Sequence, residues 1–295
     1  KRINETEVKV LNRNFHQLPE GNELKDSSHY FSQDIDLFGR GSFYQYANRT
    51  ALRQGSETLA ELFTENSIEN ITKKQEAIKE LGAMPEWRQE FSAVASLTRT
   101  QTTTMAIQKW LETYKPFVPA LMKYLPLVFS IVSILSFALY FLDFIHGFVL
   151  VFLLILGFGI SGIFTKRITK LGVESSKAQS TFEQYNRLLR IIEQTDFESV
   201  LLNEKKQRII KEGKKTSIIL KEFSKLLGNL DQNNNVFYLI FGNGYFLRGL
   251  ATSFQIEQWI AKYGQSSKIW FEVIAFFDAY ISLGTFVFNH PNYTF

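Results

Sequence analysis

Six cations between positions 205 and 215 are the side chains of this sequence best suited to chemistry. Lys205, Lys206, Arg208, Lys211, Lys214 and Lys215 could neutralise the phosphates of a DNA duplex. The same run could lie against the anionic inner leaflet of a membrane, or simply form a solvated helix face. Within it, Gly213-Lys214-Lys215-Thr216 imitates the end of a phosphate-binding loop. Such a loop needs a glycine, four residues and then Gly-Lys-Ser/Thr, because its backbone N–H groups must wrap the phosphates. Here Arg208 stands where the first glycine belongs and Lys215 separates the lysine from the threonine, so nucleotide binding is not expected. The four histidines, His16, His29, His146 and His290, have no second histidine three or four residues away and read as surface or capping residues. The absence of cysteine excludes a disulfide framework, a thiolate metal site and a cysteine nucleophile. No serine elbow or glycine-rich dinucleotide loop occurs, so no catalytic, metal or cofactor-binding residue is assigned.

The elements that must carry these residues are of two kinds. The chain has 295 residues and a net charge of +4, too small a charge for a dedicated nucleic-acid coat. Its 45% hydrophobic content is unevenly spread. From Leu125 to Phe164, 29 of 40 residues are apolar, and Asp143 is the only formal charge. A crossing takes ~20 apolar residues, so this length predicts two passes through a ~30 Å hydrocarbon layer. The break falls at Leu142–Gly147, giving helices Leu125–Leu142 and Phe148–Phe164 joined by a tight turn. Lys115 and Lys123 before the pair, and Lys166, Arg167 and Lys170 after it, predict cytoplasmic flanks and an outer turn at Asp143. Tyr114, Tyr124 and Tyr140 fall near the two interfaces, while Gly157, Gly159, Ser161 and Gly162 would let the second helix pack closely on a neighbour. The internal position rules out a signal peptide.

The flanks read as all-α. Ser42–Leu62 is helical with Gly55 as its break, and Ser67–Leu81 is helical with Ser67 as N-cap and Gly82 as stop. Pro85 opens another helix, and a further one covers Thr103–Tyr114. Thr165–Leu230 is a long helical region with 14 Lys/Arg against 8 Asp/Glu between Lys166 and Lys225, breaking near Thr195-Asp196 and Gly213. Asp231-Gln232-Asn233-Asn234-Asn235 is a polar turn, and Trp259–Phe288 is an aromatic helical segment. The apolar run Val236–Phe254 is long enough to cross a membrane, but Asn243 and Arg248 near its middle assign it to a soluble core instead.

Two strings carry a family resemblance. The first is His29-Tyr30-Phe31-Ser32-Gln33-Asp34-Ile35-Asp36-Leu37-Phe38-Gly39, then Ser42–Thr50 and Gly55, continued by Ile71–Phe91 with Pro85-Glu86-Trp87-Arg88. The second is Phe277–Leu283 followed by Phe288-Asn289-His290-Pro291-Asn292-Tyr293-Thr294-Phe295. They resemble the start and the end of the helical core of the MutS family of DNA mismatch-repair ATPases, in its membrane-anchored subgroup. The resemblance implies an all-α lever core interrupted by a transmembrane hairpin, and a continuation past Phe295 into an ATPase domain holding ATP and Mg. A start at Lys1 rather than Met likewise suggests a fragment. This stretch would bind no cofactor itself. It would couple that ATPase to double-stranded DNA or a partner, as part of a homodimer at the inner face of a cytoplasmic membrane. Gly41-Ser42-Phe43-Tyr44-Gln45 imitates the family's mismatch-reading motif, but Gln45 replaces its glutamate, so mismatch reading is not expected.

The expected organisation is a connecting segment over 1–28, helical core over 29–116, membrane hairpin over 117–164, and long helices with the rest of the core over 165–295. The alternative is a membrane-tethered helical scaffold with no nucleic-acid role. A transporter is disfavoured, because Asp143 and His146 at one turn give no charged pathway through the membrane.

Overall fold

The computed structural model describes residues 1–65, 67–97, 103–211, 214–231 and 238–293. In chain order the helices are α1 (Arg2–Leu11), α2 (Phe43–Ala47), α3 (Arg53–Thr64), α4 (Ile71–Gly82), α5 (Pro85–Leu97), α6 (Thr104–Thr113), α7 (Leu125–Phe141), α8 (Phe148–Gln194), α9 (Val200–Gln207), α10 (Thr216–Asp231), α11 (Arg248–Tyr263) and α12 (Ser266–Asn289). A π-helical turn covers Tyr238–Asn243. One small ladder departs from the all-α expectation: β1 (Ile210–Lys211) pairs antiparallel with β2 (Lys214–Lys215), setting Ile210 opposite Lys215. It occupies the break expected near Gly213, which itself lies outside the described residues, as does most of the polar turn at 231–235.

The chain forms two compact units, and neither is continuous in sequence. Unit one comprises Lys1–Arg99, Gln184–Ser217 and Ile269–Phe295, and unit two comprises Thr100–Glu183 and Ile218–Lys268. This differs from the four consecutive segments expected, because α8, α10 and α12 each contribute residues to both units.

Unit one is built around α12. Phe271, Val273, Ile274, Phe277, Ala279 and Tyr280 are all buried, so this helix is covered on nearly every side, as a core helix must be. It is long and apolar enough to cross a membrane, yet 67% of its apolar window is buried inside the protein. Leu37, Phe38, Tyr44, Leu59 and Ala60 cluster with Ala279, and Trp87 of α5 packs on Phe91, Phe197 and Phe277. Two local expectations shift here. The break between α2 and α3 falls at residues 48–52 and Gly55 sits inside α3. Ser67 does not cap α4, which starts at Ile71 after Asn70 in a left-handed conformation (φ 57°). The Ser67 hydroxyl instead accepts from the Glu69 N–H.

Unit two carries the apolar block. α7 is 17 residues long, or about 25 Å. α8 starts at Phe148 as expected but does not stop at Phe164: it runs without interruption for 47 residues, roughly 70 Å. Nothing in its sequence after Phe164 breaks a helix, so the change from apolar to charged composition leaves its backbone unaltered. Only 22% of its apolar window is buried. Leu127, Ile134 and Leu135 on α7, and Phe148, Phe152 and Ile155 on α8, are all more than half exposed. Asp143 takes a left-handed conformation (φ 60°) in the connection between the two helices. Further along, unit two has a separate aromatic core in which Phe223 stacks on Trp259 at 3.6 Å between centroids, with Phe182 edge-on to both.

Candidate functional site

The segments 42–55 and 277–290 meet within unit one, and a buried carboxylate joins them. Asp278 of α12 is fully buried. It accepts the backbone N–H groups of Ala51, at 3.1 Å, and Leu52, at 2.9 Å. Those are orphan donors at the start of α3, where the helix dipole also favours negative charge. The approach is possible only because residue 55 is glycine: a Cβ there would lie 2.7 Å from Asp278 Cγ and 2.8 Å from its Cβ. One turn later, Ser282 Oγ accepts the Arg49 N–H at 2.9 Å. The Arg49 side chain donates to Glu7 at 2.6 Å, and Glu7 also accepts from Asn289 at 2.9 Å. Tyr46 and His290 are joined at 2.9 Å, with the other ring nitrogen of His290 at 2.8 Å from the Phe286 carbonyl. Burial pushes the Asp278 carboxyl up to about 7, opposed by the two backbone N–H groups. Burial, with Asp278 nearby, also raises the Tyr185 hydroxyl.

Other charged groups in this unit serve as caps in the same way. Glu80 of α4 accepts from the N–H groups of Glu198 and Ser199 and closes the N-terminus of α9. Glu193 accepts from the N–H and hydroxyl of Ser217 and closes α10. Arg88 does the converse, donating one guanidinium nitrogen to the carbonyls of Leu81, Gly82 and Gly284. It thereby finishes α4 at the end that favours positive charge, and burial lowers it to about 10.

The basic run is less available than its sequence suggests. Lys206 is buried, its ammonium donating to the Thr195 carbonyl at 2.6 Å and to Asp196 at 3.2 Å. It fastens the connection between α8 and α9. Lys205 lies 4.8 Å over the Phe276 ring, and burial followed by Arg208 lowers its pKa. Arg208 pairs with Glu272 at 3.6 Å and keeps 44% of its side chain exposed. Lys215 is exposed on β2. The side chains of Lys211 and Lys214 lie outside the described residues. Thr216, the last residue of the imitation phosphate loop, is buried with its hydroxyl donating to the Ile209 carbonyl.

In unit two, Glu257 of α11 does the corresponding work. It is buried and accepts from the Tyr114 hydroxyl at 3.0 Å, the Phe117 N–H at 2.7 Å and the Val118 N–H at 3.2 Å. The segment leading into α7 is thus fixed by a residue 140 positions away. Burial and Glu257 together raise the Tyr114 hydroxyl. Replacing Glu257 by alanine strands three donors and is expected to cost about 3 kcal/mol. Glutamine retains an acceptor for Tyr114 and Phe117, so it should cost roughly half as much. Thermal unfolding followed by tryptophan fluorescence compares the two variants.

Among the described residues no group of three or more His, Asp or Glu is placed to hold a metal ion. His29 bonds the Thr64 carbonyl and the Ser32 N–H, a local structural role. Sequence reasoning missed Asp278, Glu80, Glu193 and Glu257. The only available signal was a glycine placed inside an otherwise regular helical pattern, at Gly55. No family model, curated protein or solved structure matches this chain.

Proposed function

We propose that this chain is a MutS-like lever core tethered to a membrane, coupling an ATPase domain to DNA or to a partner. One observation carries the reading. A core interrupted by a long insertion must close its first segment on its last. Here Asp278 and Ser282 of the second string hold the backbone of Arg49, Ala51 and Leu52, which lie within the first, between Ser42 and Gly55. In this reading that junction is where the joined ATPase, carrying ATP and Mg, acts on the core. A homodimer and a location at the inner face of a cytoplasmic membrane belong to the same proposal. The exposed apolar faces of α7 and α8, bounded by exposed Lys115, Lys123, Lys166, Arg167 and Lys170, support the tether.

A second reading, a membrane-tethered helical scaffold without nucleic acid, is favoured by the engagement of Lys206 with Thr195 and of Arg208 with Glu272. Duplex-DNA affinity measured against salt separates the two. The lever reading expects a steep negative log–log slope that Lys215→Glu makes shallower by about one. Flat or absent binding supports the scaffold. Lys206→Gln should lower stability by ~1–3 kcal/mol without any specific effect on that slope, since its donors serve the fold.

A further inference from the structure

Residues 243–247 lie against the apolar hairpin in an orderly way. Passing along the segment, Ser161 Oγ bonds the Asn243 carbonyl at 3.3 Å, close to the Phe164 end of the apolar stretch. Gly244 then meets α8 at Gly157, where a Cβ would lie 2.7 Å from the Gly244 carbonyl carbon and 3.2 Å from the Asn243 oxygen. Tyr245 reaches the Phe137 ring of α7 at 4.9 Å. Phe246 follows, its carbonyl 3.4 Å from Ser130 Oγ, and Leu247 clusters with Phe129. α11 then begins at exposed Arg248, and its Glu257 holds Phe117 and Val118 ahead of α7. The chain therefore descends along α8, turns at Tyr245 and returns along α7.

Depth follows from helix geometry. Phe137 is twelve residues from the start of α7, about 18 Å along its axis, and Gly157 is nine from the start of α8, about 14 Å. Gly157 lies near the middle of the hairpin and Phe137 deeper, four residues before the end of α7. Gln232 to Leu247 carries no formal charge. The carbonyls of Asn243 and Phe246 have serine partners, and Asn243 Oδ1 accepts the Gly249 N–H at 2.8 Å. Non-helical backbone is tolerated at membrane depth only when it is seated on protein in this way.

We propose that residues 238–247 form a re-entrant element that enters and leaves the bilayer on the Lys123 and Lys166 side, with exposed Ile240 and Phe241 against lipid acyl chains. The proposal rests on the hairpin crossing the membrane. The sequence contains no cysteine, so single thiols can report on it directly. Phe241→Cys is compared with Ile134→Cys and Phe152→Cys on the hairpin, and with exposed Lys225→Cys and Lys262→Cys on α10 and α11, each in the full chain in phosphatidylcholine vesicles. A membrane-impermeant maleimide should label the last two from one and the same side. The first three should label only after denaturation in dodecyl sulfate. Gly157→Leu should restore labelling to Phe241→Cys. Gly159→Leu should not, because that position faces open space. Labelling of Phe241→Cys alone among the three overturns the re-entrant element and leaves the hairpin standing. Labelling of all three overturns the hairpin and the element with it. Labels on opposite sides for positions 225 and 262 would show a third crossing and overturn the proposal. An unaltered Phe241→Cys in the Gly157→Leu background would remove the seat assigned to the segment.

Discussion

Replacing Asp278 by asparagine should remove a pH dependence that the wild-type chain carries between about pH 4 and pH 7. Unfolded, this carboxyl titrates at the ordinary 3.8, whereas in the fold burial raises it to about 7. The folded state therefore holds the proton more tightly than the unfolded state across that window. Its contribution is fully present below pH 3.8 and is lost as pH rises through 7, where a buried carboxylate must persist without water. Each tenfold difference in proton affinity between the two states is worth ~1.4 kcal/mol, so the loss is at most about 4 kcal/mol. Asparagine does not ionise, so the gap between wild type and Asp278→Asn should narrow as pH rises from 4 to 8. Alanine strands the N–H groups of Ala51 and Leu52 at every pH and should cost about 2–4 kcal/mol throughout. Unfolding midpoints across pH 4–8 give the energies. Hydrogen exchange at Ala51 and Leu52 localises them: faster exchange of these two amides is expected for alanine. A parallel pH dependence in wild type and Asp278→Asn would show that Asp278 is not its source.

Gly55→Ala should be the second severe change, although alanine is ordinarily the better helix former. In an open helix interior the substitution gains up to ~1 kcal/mol. At position 55 the new methyl would overlap the carboxyl of Asp278, whose Cγ lies 2.7 Å from the ideal Cβ position. Neither side can easily retreat, because Asp278 and the neighbouring Leu59 are both fully buried. A net loss of about 3 kcal/mol is expected, from overpacking and from lengthened bonds to Ala51 and Leu52. Gly172→Ala in α8, where a Cβ would meet nothing within 4 Å, is the matched control and should be neutral or mildly stabilising. The double variant Gly55→Ala, Asp278→Ala should be less damaging than the sum of the two single changes, since both act on one contact. Strict additivity would argue that the glycine serves something other than the carboxylate.

These two residues separate what is local from what is not. Gly55 is visible in the sequence as a break, and a break was expected there. The structure instead bends the chain at 48–52 and keeps Gly55 helical, because the glycine is needed for approach rather than for a turn. The segments around Arg49 and around Asp278 were each readable as strings, but their meeting through Asp278 and Ser282 was not. The basic run was visible by residue type. That Lys206 is tied to Thr195 and Arg208 to Glu272 depends on the folded chain. Of the four small residues marked for close packing on α8, Gly157 and Ser161 meet the 238–247 segment, while Gly159 and Gly162 face open space. Their spacing of four explains the pairing, since only residues one turn apart share a helix face.

The sequence by itself determined the local features: the helical character, the apolar block from Leu125 to Phe164, the start of α5 at Pro85 and the end of α8 near Thr195. Composition and periodicity act within a few residues, so they can be read without knowing the neighbours. Tertiary structure decided how the helix ends are closed. Asp278 caps α3, Glu80 caps α9, Glu193 caps α10, and Glu257 fixes the segment before α7. Each of these carboxylates lies on another helix, from 24 to 227 positions away. An unsatisfied N–H must find an acceptor somewhere, but in a helical chain nothing local specifies which carboxylate reaches it.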